Sequence, residues 1–78
     1  MRQFQDRAGV AWDVVLGRES WGASVALFVP PVSSGLAARQ APLQAVAQDA
    51  AVRELDDMND AALQALLDRS TTRQEGMQ

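Results

Sequence analysis

The sequence predicts a small α+β domain, in which an antiparallel β-meander of three or four strands is followed by two short α-helices. In the first half of the chain β-branched and aromatic residues predominate, and glycines divide them into short segments, as is typical of strands joined by turns. From Pro42 onward the chain is rich in Ala, Leu, Gln and Glu, which favour helix. At 78 residues the chain allows one domain with a thin core. We expect that domain to span residues 1–70 and residues 71–78 to form a flexible tail.

Three segments of the first half are predicted strands: RQFQD (2–6), VAWDVVL (10–16) and ASVALFV (23–29). Side chains alternate between the two faces of a strand, so every second residue shares a face. We expect the sheet side of the core to consist of Trp12, Val14, Leu16, Val25, Leu27 and Val29. The opposite face is half apolar and is a candidate contact surface, with Ala11, Asp13, Val15, Ser24, Ala26 and Phe28.

The segment VPPVSSG (29–35) ends the third strand, because proline cannot donate a ladder hydrogen bond. The following LAARQA (36–41) is equally compatible with a short fourth strand and with a loop. Pro42 suits a first helical turn, and the residue types of LQAVAQDAAVREL (43–55) predict a helix there.

A second helix is predicted after DDMND (56–60), with Asn59 as its N-cap. Leu63, Leu66 and Leu67 follow at the spacing of one helix face. Met58 and Leu63 stand at the positions of a hydrophobic staple.

The composition argues against catalysis. The chain has no His, Cys, Lys or Tyr, which removes most nucleophiles and bases that work at neutral pH, so we predict that the protein is not an enzyme. The same absences remove disulfides and the usual zinc ligands. A thin core without such cross-links makes a homodimer an expectation.

Charge and hydropathy narrow the possible partners. The net charge is +1 over residues 1–39 and −4 over residues 40–78, and no basic cluster is present, which argues against nucleic acid. The N-terminal MRQFQDRAGV lacks the apolar run of a signal peptide, and the longest apolar run, VALFVPPV, is too short to span a membrane. The expected location is therefore cytoplasmic, with no membrane contact.

Ligand motifs are absent as well. DDMND is dense in oxygen ligands, but neither register places the Gly and Glu that a calcium loop requires, so N-capping explains it better. No glycine-rich phosphate loop exists, and the aromatic residues lack interleaved cations. We predict no cofactor and no metal.

What remains is the loop GRESWG (17–22) and the second face of the sheet. Trp and Arg are enriched at interface hot spots, and the sequence leaves open whether Trp21 folds back on the core or contacts a partner. The predicted partner-binding residues are Val15, Arg18, Glu19, Trp21 and Phe28. Three functions fit: a protein-interaction module acting as adaptor or regulator, a self-associating structural subunit, and a regulator of the transcription machinery that acts through protein contacts.

Overall fold

The structure, a computed structural model, describes residues 2–18, 22–45 and 47–73. Within these ranges the chain forms a sheet followed by two helices and a short final strand. The elements are, in chain order, β1 (Arg2–Gln5), β2 (Ala11–Arg18), β3 (Ser24–Val29), a 3₁₀ helix (Val32–Ser34), β4 (Arg39–Pro42), α1 (Gln48–Asp56), α2 (Asp60–Asp68) and β5 (Thr71–Thr72).

The strands form one antiparallel sheet in the order β1-β2-β3-β4-β5, so each strand pairs with the next one in the sequence. This confirms the predicted α+β class and the meander. The described residues form five strands where three or four were expected. The fourth is the segment that the sequence left undecided, and the fifth was not foreseen.

The prediction of which face of β3 lies in the core is wrong. Val14 pairs with Phe28 and Leu16 with Ala26, and side chains opposite each other on paired strands share a face. Because Val14 points into the core, Phe28 and Ala26 do so too, and Val29 is 41% exposed. Leu27 and Val29 therefore point away from the helices, where the sequence had placed Phe28.

Phe28 lies at the centre of the core. Its ring makes edge contacts with the rings of Trp12 and Phe4, at centroid separations of 6.3 and 6.5 Å, a geometry that aromatic pairs favour. Both helices close the core over this face of the sheet. The buried cluster consists of Phe4, Trp12, Val14, Ala26, Phe28, Ala41, Leu55, Leu63, Leu66 and Leu67.

Helix α1 begins later than the sequence predicts. Pro42 ends strand β4 opposite Val25, and α1 starts only at Gln48. The backbone N–H groups of Gln44 and Ala45 donate to the Glu54 carboxylate, at 3.1 and 2.9 Å. These groups are satisfied without a helix, which explains why strong helix formers are non-helical here.

Strand β5 lies in the segment after residue 70 that the sequence assigned to the tail. Thr71 and Thr72 pair with Gln40 and Arg39 of β4. Arg39 stabilises the turn between α2 and β5. Its guanidinium donates to the hydroxyl and the carbonyl of Ser70, each at 2.7 Å. Residues 74–78 of the predicted tail lie outside the described ranges.

Helix α2 has the start that the sequence predicts. The Asn59 side-chain oxygen accepts a hydrogen bond from the N–H of Ala62 at 2.9 Å, which confirms Asn59 as the N-cap. Leu63, Leu66 and Leu67 are buried, as expected for the inward face. Met58 packs against the same core from the position before the cap.

The turn between β1 and β2 is organised by Asp6. One carboxylate oxygen accepts from the N–H groups of Ala8 and Val10, and the other accepts from the indole N–H of Trp12, all at 2.9 Å. The indole bond, followed by the backbone bonds to Val10 and Ala8, holds the pKa of Asp6 below its ordinary value in spite of partial burial. One side chain thus closes the turn and positions a core tryptophan.

The cap of α2 yields a stability prediction. Asn59→Ala removes an acceptor from the first helical turn and should lower the free energy of unfolding by about 1 kcal/mol. In a domain of this size the melting temperature should fall by roughly 4–8 °C, measured by circular dichroism. Asn59→Asp retains an acceptor at the same place and should melt close to the wild type; equal losses in both variants would contradict the capping role.

Asp6 yields a prediction about pH. Asp6→Ala leaves the buried indole N–H of Trp12 without its acceptor and should cost about 2 kcal/mol at neutral pH. Because folding lowers the pKa of Asp6, the stabilisation is complete above the ordinary pKa and is lost as pH falls through the lowered value. Urea denaturation of the wild type and of Asp6→Ala should show that the difference between their free energies of unfolding shrinks from about pH 5 downward. A difference that stays constant down to about pH 2 would refute the assignment.

Candidate functional site

The sheet has one face that neither helix covers, termed the open face below. Strand alternation and the registers of the five strands define it as the side opposite Val14 and Phe28. Its residues are Gln3, Gln5, Ala11, Asp13, Val15, Gly17, Leu27, Val29, Gln40, Pro42 and Thr71. Val25 lies on the same side of the sheet but is only 3% exposed and offers no surface.

The centre of the open face is aliphatic. Val15 and Leu27 are directly paired across β2 and β3 and are half-buried, while Val29 at the end of β3 is 41% exposed. A Cβ atom built on Gly17 would lie only 2.6 Å from Cδ1 of Leu27. Gly17 thus leaves the space in which Leu27 lies flat across the neighbouring strand.

The rim of the open face is polar and carries little charge. Asp13 is the one carboxylate on this face among the described residues, and the surrounding side chains are mainly amides and a hydroxyl. At one corner the Arg73 guanidinium donates to the amide oxygen of Gln40 at 2.6 Å. An aliphatic centre within a polar rim is the usual composition of a protein interface.

The acidic residues lie mostly on the other layer of the molecule. Those on or beside the two helices are Asp49, Glu54, Asp56, Asp57, Asp60 and Asp68. Asp68 accepts two hydrogen bonds from Arg7, at 3.1 and 3.0 Å, in the one ion pair found among the described ranges, and this pair lowers the pKa of Asp68. Most carboxylates of the described residues therefore lie away from the open face.

The loop between β3 and β4 adds apolar surface next to Val29. Val32 is fully exposed in the 3₁₀ helix, and Leu36 is about half exposed. Gly35 between them has a φ of 73°, a left-handed conformation that glycine adopts without strain. The turn at Gly35 thus leaves the side chains of Val32 and Leu36 exposed to solvent.

The predicted partner-binding residues do not form one surface. Val15 lies on the open face, whereas Phe28 is completely buried on the core face and offers nothing to a partner. Arg18 ends β2 on the helix side, where its Nη2 donates to the Gln48 side-chain oxygen at 3.0 Å. Glu19 and Trp21 lie outside the described residues, so the alternatives for Trp21 stay open.

Sequence reasoning missed Leu27 and Val29 as surface residues. The segment SVALFV is apolar at both alternations, so its periodicity does not distinguish the faces. The signal that was present is Gly17, which lies opposite Val25 and beneath Leu27. A glycine inside a strand marks a place where another group approaches closely.

The described ranges contain no group of three or more His, Cys, Asp or Glu side chains that could hold a metal ion. Nor do they contain a helix with the length and apolar character needed to cross a bilayer.

No family model, curated protein or solved structure matches the chain.

Proposed function

We propose that the protein is a small, non-enzymatic protein-interaction module whose binding surface is the open face of the sheet. The observation that carries this proposal is the aliphatic centre formed by Val15, Leu27 and Val29 on a face that neither helix covers. Contiguous exposed apolar surface with a polar rim marks interaction sites in small proteins.

The dimensions of the molecule support this use. Its extents are 35 × 33 × 20 Å, and the short one corresponds to a sheet and a helical layer stacked together. One broad side is therefore the open face with its flanking loops. Since each partner contributes ~800 Å² to a standard interface, binding here would use the flanking loops as well as the sheet.

A second candidate, self-association through the same face, is favoured by the charge distribution. The chain has a net charge of −3, so two copies repel each other unless they meet where the acids are few. The open face meets that condition, since Asp13 is its one described carboxylate. A cytoplasmic location and a role in transcription remain predictions from the sequence.

The open face predicts which substitution abolishes binding. Val29→Glu introduces a charge into the aliphatic centre at an exposed site, so we expect binding to be lost while the melting temperature changes little. Ala65→Glu introduces the same charge on an exposed position of α2 and serves as the control. Immobilised wild-type protein and both variants are incubated with lysate of the native host, and the captured proteins are identified by mass spectrometry.

A protein captured by the wild type and Ala65→Glu, and lost with Val29→Glu, is the expected result. Capture that survives Val29→Glu would refute the role of the open face. Light scattering of the pure proteins distinguishes self-association from binding of another protein. If the open face mediates self-association, the mass of the wild type approaches twice 8.4 kDa as its concentration rises, and the mass of Val29→Glu stays at 8.4 kDa.

A further inference from the structure

The open face carries a carboxylate beside its aliphatic centre. Asp13 lies on β2 directly opposite Val29 of β3 and Gln3 of β1, and Val15 follows it on the same face. Asp13 is half-buried, and within the described ranges no hydrogen-bond or ion-pair partner is found for its side chain. Because the carboxylate is not fully buried, water solvates it in the free protein.

The described arginines leave Asp13 without a cation nearby. At the edge of the open face the described ranges place one cation, Arg73, which donates to Gln40. Strand β5 is three strands away from β2, about 14 Å at ordinary strand spacing, and water and salt screen charges over that distance. The other described arginines near the sheet are hydrogen-bonded on the helix side: Arg2 to carbonyl groups of α1, Arg7 to Asp68, Arg18 to Gln48 and Arg39 to Ser70. The negative charge of Asp13 is therefore left for a partner to pair.

Any partner that covers the aliphatic centre also covers Asp13. Taking an unpaired carboxylate out of water is costly unless a cation pairs with it and donates hydrogen bonds. Two copies that meet at their aliphatic centres would each bury Asp13 against aliphatic side chains. An arrangement that brings Arg73 of a second copy onto Asp13 sets Leu27 against Gln40, since the two-fold axis then lies between β3 and β4. A different protein that supplies a cation thus fits the open face better than a second copy.

The width of the aliphatic centre indicates that the partner presents a helix. The centre spans two strands, about 10 Å, because neighbouring strands lie ~4.8 Å apart. The strands on either side present amide side chains next to it, Gln3 on β1 and Gln40 on β4. An α-helix with its side chains is ~10–12 Å across, so one helix covers the centre and leaves these amides at the rim. A second sheet would instead press further strands onto the amides.

We propose that the open face binds an amphipathic helix of another protein, which presents an apolar stripe to the aliphatic centre and a lysine or arginine to Asp13. This inference rests on the proposed function and adds the chemistry of the partner. Asp13 and Val15 are ~7 Å apart along β2, and helical residues three or four positions apart are ~5–6 Å apart. The recognised pattern is therefore a cationic residue three or four positions from an apolar one. The net charge of −3 also attracts a basic partner.

The first test selects binding helices from a displayed library. Each member is an amphipathic helix with leucines three and four residues apart, and the positions that flank the leucines are randomised. We expect helices selected by the immobilised wild type to be enriched in Lys or Arg at one flanking position. Asp13→Lys reverses the charge of the site and should select Asp or Glu at that position. Asp57→Lys reverses a charge at the end of α1 and should select the same helices as the wild type.

Three results of the selection would overturn the proposal. They are a library from which no helix is enriched, helices that show no cationic preference, and the same preference with the wild type and Asp13→Lys. The capture experiment with Val29→Glu tests the open face independently, so the proposed function stands or fails on its own.

The second test measures the affinity of one selected helix by fluorescence anisotropy. Asp13→Asn keeps the shape of the side chain and removes its charge, and we expect it to weaken binding about tenfold. Asp57→Asn removes the same charge from the end of α1 and is the matched control. Added salt should weaken binding to the wild type more than binding to Asp13→Asn. Unchanged affinity in Asp13→Asn, or an equal loss in Asp57→Asn, would overturn the pairing.

Further outcomes separate this inference from the proposed function. A selected helix that Val29→Glu no longer binds, but that Asp13→Asn binds as tightly as the wild type, would retain the open face and overturn the cationic partner. Amide NMR shifts in the wild type should centre on Asp13, Val15 and Leu27, whatever the stability of the variants; shifts centred on α1 and α2 would overturn the site. Self-association that Asp13→Asn strengthens and Val29→Glu abolishes would make the occupant a second copy, and would overturn the assignment to another protein.

Discussion

The pairing of Val14 with Phe28 determines how both layers of the molecule are arranged. With Phe28 inward, its ring meets Trp12 and Phe4, and the leucines of both helices close around them. A shift of one residue in this register would exchange the two faces of β3 and bring Val29 into the core and Phe28 into solvent. Burial of the larger ring favours the observed register, because hydrophobic stabilisation scales with the apolar area removed from water.

The same register explains why a second apolar surface exists at all. The residues of β3 are apolar at almost every position, so whichever face is buried, the other keeps aliphatic side chains. Gly17 accommodates this arrangement by making room for Leu27. The surface that we propose for binding is thus a direct result of a strand that could serve as core on either side.

The sequence predicted those features that depend on local chemistry. Asn59 is the N-cap because its side chain reaches the first turn of its own helix, and α2 follows from its leucine spacing. Features that depend on distant partners were missed: Glu54 satisfies Gln44 and Ala45 outside a helix, and Arg39 secures the turn before β5. Of the candidate site, Val15 was placed on the correct face and Phe28 on the wrong one. β3 is apolar at both alternations, so its own sequence does not show the register with β2, and Gly17 in β2 was the signal that was missed.

The order of the strands has a consequence for how the chain emerges during synthesis. Each strand pairs with its neighbour in the sequence, so the first four can assemble through short loop closures before α1 exists. Until α1 and α2 have been made, that nascent sheet exposes Phe28 on one side and Leu27 on the other. The interval between completion of β4 and docking of α2 is therefore the period of greatest aggregation risk, and it is the time at which a ribosome-associated chaperone would protect this chain most effectively.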